Sequence, residues 1–117
     1  MCKLVMIDDN PMEHMIMQRI FDRYHLFPNA SHALGGQIII DFLIENRTNT
    51  VELPDIIFLD LNMPEFSGRD FLEQFERLYL SFKKSISIYI LSSSICQDEK
   101  LKAKQYLFVK GFYIETH

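Results

Sequence analysis

Asp8 and Asp9 close one short apolar run, Leu4-Val5-Met6-Ile7, and Asp60 closes a second, Ile56-Ile57-Phe58-Leu59. Apolar runs of this length, rich in β-branched types and bounded by polar or turn-forming residues, suit strands buried on both faces of a parallel sheet. Ligands of open α/β sheets bind outside the carboxyl ends of such strands. The pattern therefore predicts three carboxylates at one sheet edge, an all-oxygen donor set suited to a hard divalent cation.

Positioning those acids requires strands held in parallel by intervening helices. Pro11 is placed for the first turn of a helix, and Met12, Met15, Ile16 and Ile20 recur at helical spacing to about Tyr24, the methionines reading as core-facing or semi-buried packing residues. Pro28 and Asn29 interrupt the pattern before a short second strand over 30–34. Gly35-Gly36 then precede an amphipathic second helix carrying Ile38, Ile39, Phe42 and Leu43. A polar loop leads through Leu53-Pro54 to a third strand over 55–60. A third helix follows Gly68 with Phe71, Leu72, Phe75, Leu78 and Tyr79 on one side. A fourth strand over 86–91, a charged fourth helix over 97–106 and a fifth strand over 109–114 complete the alternation. This order predicts right-handed crossovers and a doubly wound α/β fold.

At 117 residues, with 48% hydrophobic and 24% charged residues, the chain has the size and composition of one globular domain, expected to span 1–117. No apolar run approaches the roughly 18–20 residues of a membrane-spanning helix, and the start resembles no signal peptide. A cytoplasmic protein without membrane contact is expected. The formal charge of −4 argues against direct nucleic-acid binding. Lys83, Lys84, Lys100, Lys102 and Lys104 read as a solvated loop and helix face. Cys2 and Cys96 lie in no metal-binding spacing. His14, His25, His32 and His117 form no ligand-spaced set, so each is assigned a surface or structural role.

Four further segments turn these pieces into a recognisable order: Ile7-Asp8-Asp9-Asn10, then Leu59-Asp60-Leu61-Asn62-Met63-Pro64 with Gly68, then Ile90-Leu91-Ser92-Ser93, then Gly111-Phe112. Together they resemble the receiver domain of two-component response regulators, over nearly the whole chain. The resemblance implies a flavodoxin-like (CheY-like) five-stranded parallel sheet of strand order 2-1-3-4-5. It also implies that Asp60 is the phosphoacceptor for a sensor histidine kinase or phosphotransfer protein. Mg²⁺ would be held by Asp8, Asp9, Asp60 and the backbone carbonyl of Asn62. Ser92 would hydrogen-bond the phosphoryl group, and Phe112 would be the aromatic that changes rotamer with it. Pro64 and Gly68 are shaping residues of the loop into helix three.

Two features depart from the family pattern. Glu115 stands where receivers carry a lysine, so a cation is replaced by an anion. Two unit charges about 5 Å apart at an effective dielectric near 20 interact by about 3 kcal/mol, enough to weaken phosphoryl affinity if Glu115 points inward. The family also continues into a fifth helix that these 117 residues do not include, and a single domain without an output domain is expected. The sheet face so exposed is expected to promote a homodimer or an exchanged element. Three functions follow: a non-enzymatic phosphorylated switch acting on a downstream protein target, a degenerate receiver serving as a phosphorylation-independent interaction or dimerisation module, and a Mg²⁺-dependent phosphatase. The last is disfavoured because Asn62 stands where a second acid would be needed.

Overall fold

The computed structural model describes residues 2–63, 65–92 and 97–114. Its elements follow the order β1 (Leu4–Ile7), α1 (Pro11–Arg23), β2 (Ser31–Ala33), α2 (Gly36–Glu45), β3 (Ile56–Asp60), α3 (Gly68–Leu78), a 3₁₀ turn (Tyr79–Ser81), β4 (Ser87–Ser92), α4 (Gln97–Lys104) and β5 (Val109–Ile114). The five strands form one parallel sheet of order β2-β1-β3-β4-β5, as expected from the sequence. Element bounds differ from the sequence reading by one or two residues. α4 stops at Lys104 rather than running to position 106.

The strand pleat divides the core into two layers. Val5, Ile7, Ile57, Leu59, Ile88 and Ile90 point to one face, where they bury Ile40 and Leu43 of α2, Phe71, Leu72 and Phe75 of α3, and Ala103 of α4. Leu4, Met6 and Leu91 point to the other face and meet Met17 and Phe21 of α1. Alternate residues of a strand face opposite ways, so β1 needs apolar residues at every position, and all four are buried. α1 contacts the sheet through the narrow stripe His14, Met17 and Phe21, spaced three and four apart. Met12 and Met15 lie off that stripe and are 60% and 55% exposed, which corrects their assignment as packing residues.

Local chemistry fixes the ends of the helices that carry the site. Asn10 caps α1, its side-chain oxygen accepting from Met12 N–H at 3.0 Å, with Pro11 in the first turn. Ser67 and Asp70 form a reciprocal capping box at the start of α3. At the opposite edge of the sheet Lys84 is not the solvated loop residue expected. Its ammonium reaches Thr50 O at 3.0 Å, Leu53 O at 2.8 Å and Asp55 Oδ1 at 3.2 Å, tying the α2–β3 connection to the start of β4.

Between β4 and β5 the register shifts by one residue: Ile88 pairs with Val109, but Tyr89 pairs with Gly111. The extra residue is Lys110, an arrangement typical of a β-bulge. Phe112 then pairs with Ile90 and packs, half-buried, on the larger core.

Gly68 is required by close approach rather than by an unusual φ. A Cβ there would stand 2.5 Å from Leu61 Cα and 2.6 Å from Asp60 O, both backbone atoms that cannot swing aside. The Gly68 N–H also donates to Leu61 O at 3.2 Å, closing the loop that follows Asp60. Gly68→Ala is expected to destabilise the fold by about 2–3 kcal/mol, as overpacking against rigid neighbours does. Urea unfolding of the two proteins measures it, and a loss within error of zero would mean that the loop yields freely.

Candidate functional site

The register of β1 against β3 accounts for the meeting of the acids. Ile7 pairs with Leu59, so Asp8 and Asp60, each one residue further on, stand side by side at neighbouring strand ends. Both also fall on the α1 side of the pleat, in phase with Met6 and Phe58. One carboxylate oxygen from each of Asp8, Asp9 and Asp60 lies within 4.8 Å of the others. Among the described residues this is the only group of three or more His, Cys, Asp and Glu side chains so gathered.

Each acid has a different environment. Asp8 is buried, and its Oδ1 accepts from Asn10 N–H at 2.9 Å while its own N–H donates to Ala33 O at 3.1 Å. Asp60 is half-buried, and its Oδ1 accepts from Asn62 N–H at 3.0 Å, which fixes the carboxylate's rotamer. Asp9 is exposed. Loss of water pushes the Asp8 carboxyl up from 3.8 to about 7; the Asn10 hydrogen bond opposes this, and the charges of Asp60, Asp9 and Glu13 add to it. Asp60 is raised for the same leading reason, desolvation, with Asp9 and Glu13 contributing and the Asn62 and Asp8 hydrogen bonds opposing. Glu13 was not singled out in the sequence. Its place in the first turn of α1, five residues after Asp8, is the signal that could have found it.

The donor set fits a hard cation: all oxygen, several of them anionic, crowded and short of water. Asp8, Asp9 and Asp60 are the side chains that would hold one. Ser92 ends β4, beside β3's terminal Asp60, with Asp60 paired to Leu91 and Ser92 paired to Ile114. Its side chain, and Pro64 and Glu115, lie outside the described residues. Phe112 has a partner the sequence did not reveal, since the Lys100 ammonium sits over its ring at 5.6 Å from the centroid.

His14, assigned a surface or structural role, is buried and hydrogen-bonded, and it has a neighbour that its spacing did not reveal. His14 and His32, unremarkable by spacing, meet with their Nδ1 atoms 2.6 Å apart, beside the acidic cluster, and His14 Nε2 lies 2.8 Å from Asp8 O. Burial, and then the neighbouring His14, hold the His32 imidazole below its ordinary value.

A sequence profile described as the response regulator receiver domain matches residues 4–110. Among curated relatives, the chain is 24% identical over 100 residues to a probable methanogenesis regulatory protein, FilR2, of Methanothrix harundinacea, covering 86% of this chain and 63% of that one. It is 30% identical over 90 residues to the protein-glutamate methylesterase/protein-glutamine glutaminase of Treponema pallidum, covering 77% of this chain and 20% of that one. The chain thus spans less than two thirds of the length of both. Among solved structures, a two-component response regulator from Cytophaga hutchinsonii superposes with a TM-score of 0.85 at 23% identity, covering 98% and 86% of the two chains. A receiver protein from Dyadobacter fermentans gives 0.82 at 19% identity, covering 100% and 88%. No helix among the described residues is long and apolar enough to cross a membrane. With a profile match over most of its length, a sheet of order 2-1-3-4-5 and the carboxylates gathered where β1 and β3 end, this chain belongs to the response regulator receiver domain family.

Proposed function

We propose that the chain is a phosphoacceptor: Asp60 takes a phosphoryl group from a phosphohistidine of a sensor kinase or phosphotransfer protein, with Mg²⁺ held by Asp8, Asp9, Asp60 and the Asn62 carbonyl. What carries this reading is the convergence of the Asp8, Asp9 and Asp60 oxygens within 4.8 Å at the carboxyl edge of the sheet. An Asp60 oxygen attacks phosphorus, the P–N bond to the donor imidazole breaks, and the product is an acyl phosphate on the Asp60 carboxyl. Bound Mg²⁺ supplies the positive charge that lets a phosphate approach a carboxylate. Asn62 N–H, on Oδ1, holds the nucleophile in one rotamer. The Ser92 hydroxyl takes a phosphoryl oxygen, and Phe112 relays the change to the protein surface where a downstream target binds.

Glu115, at the position of the family's lysine, favours a second reading in which the fold serves as an interaction module without phosphorylation. Beryllofluoride or a small phosphodonor with Mg²⁺, read by mass or by spectral change, separates the two. A change in the wild type that is absent in Asp60→Asn supports the phosphoacceptor. Silence in both proteins supports the module. Restoring the cation by Glu115→Lys is expected to prolong the lifetime of the phosphorylated form, and an unchanged lifetime would mean that position 115 does not face the site.

Burial of Asp8, with the neighbouring acids adding to it, gives the site a pH signature. The folded value of Asp8, about 7, lies above its unfolded value, so folding favours the protonated form. Stability from this group is fully present below about pH 4 and is lost as pH rises through about 7. Asp8→Asn, which keeps the acceptor for Asn10 N–H, is expected to be more stable than the metal-free wild type at pH 8 by on the order of 2 kcal/mol, the gap closing toward pH 4. Thermal melts across that range test it, and a constant gap would contradict a shifted Asp8. Mg²⁺ must displace the same proton, so its affinity is expected to fall by about tenfold for each pH unit below 7. Calorimetry at pH 6 and pH 8 measures this, and equal affinities would remove Asp8 from the ligand set.

A further inference from the structure

His14 lies on α1 and His32 on β2, and their rings meet edge to face with centroids 4.8 Å apart and planes at 83°. The far nitrogen of each ring rests on an oxygen that can only accept. His14 Nε2 is 2.8 Å from the Asp8 carbonyl oxygen. His32 Nε2 is 2.8 Å from Gln18 Oε1, and the Gln18 amide cannot be turned round, because its nitrogen donates to the Asp22 carboxylate at 2.8 Å. Both Nε2 atoms must therefore carry hydrogen. A neutral imidazole has one N–H, so two neutral rings present bare Nδ1 lone pairs to one another across 2.6 Å. Two acceptors in that position repel unless a proton or a metal ion lies between them.

We propose that His14 and His32 form a two-imidazole seat for a divalent transition-metal ion of the Zn²⁺ or Cu²⁺ class, separate from the oxygen cluster. Nitrogen donors of this kind suit these metals, whereas the carboxylates suit Mg²⁺. Metal-bound histidines characteristically donate their other N–H to a carbonyl or carboxylate, which fixes the tautomer. Here the Asp8 carbonyl does so for His14, and the Gln18 amide, steadied by Asp22, does so for His32. Metal–nitrogen bonds of about 2.0–2.1 Å in tetrahedral geometry place the two nitrogens roughly 3.3 Å apart with their lone pairs converging off the line between them, so the rings must part by about 0.7 Å and tilt. His32 can supply that movement, being exposed on a three-residue edge strand, while buried His14 stays fixed. Exposure of His32 also leaves an entry path, and water completes the coordination.

The test is calorimetric titration of the full chain with Zn²⁺ in saturating Mg²⁺, which keeps the carboxylates occupied. One ion is expected to bind, and His32→Ala to weaken it by more than about tenfold. Gln18→Leu, which removes no ligand atom, is expected to weaken it severalfold by freeing the His32 ring. His25→Asn, which deletes an imidazole elsewhere, is expected to change nothing. Imidazole ¹⁵N spectra of the unaltered protein should show both Nδ1 resonances moving on Zn²⁺ addition, a readout that needs no variant. Retained binding in His32→Ala, simple competition between Zn²⁺ and Mg²⁺ for one site, or a hydrogen shared between the Nδ1 atoms with no metal uptake would each overturn the proposal.

Discussion

Loss of water by carboxylates crowded at one sheet edge, with their mutual repulsion added to it, is the constraint around which this fold's functional edge is organised. Each acid taken alone would ionise readily in solution. Brought to adjacent strand ends, Asp8 and Asp60 cannot both do so cheaply, and Asp9 and Glu13 deepen the conflict. Backbone donors relieve only part of it: Asn10 N–H serves Asp8, and Asn62 N–H serves Asp60. The remainder is a standing attraction for positive charge.

That tension persists because the scaffold leaves the acids no retreat. β1 is buried along its whole length between two apolar layers, so Asp8 cannot move without displacing Ile7 and Met6. On the other side, the approach of Gly68 to the backbone of Asp60 and Leu61 closes the β3–α3 connection, and the Ser67–Asp70 box fixes where α3 begins. The cores beneath are unequal. The face covered by α2, α3 and α4 holds most of the buried side chains, and the α1 face rests on a small group joined by the contacts of Phe21, Phe27, Phe58 and Tyr89.

Much of this was legible in the sequence, for identifiable reasons. A buried parallel strand announces itself by continuous apolar residues, and an acid that ends such a run is placed at the ligand edge whatever the rest of the chain does; Asp8, Asp9 and Asp60 were found that way. Strand order followed from family resemblance rather than from any local signal. What escaped was contact between elements whose relative placement no periodicity reveals. His14 sits one helical turn into α1, and His32 on β2, the strand with the weakest signature, so their meeting depends on how α1 lies across β1 and β2. The exposure of Met12 and Met15 was hidden for a related reason, since residues at roughly helical spacing still miss a stripe as narrow as the one α1 buries. Lys84 looked solvated because its acceptors are backbone carbonyls, which the sequence does not advertise.

The bulge at Lys110 reaches further than its location suggests. Along a strand, inward and outward positions alternate, and one additional residue exchanges them for everything downstream. From Gly111 onward β5 therefore runs in the opposite phase to the one its pairing at Val109 would dictate, and that inversion turns Phe112 inward and leaves Tyr113 in solvent. Losing the one codon for Lys110 would regularise the ladder and keep Phe112 inward, whereas adding one residue beyond a retained bulge would turn the last strand inside out, so the chain's tolerance of indels there is set by parity rather than by length.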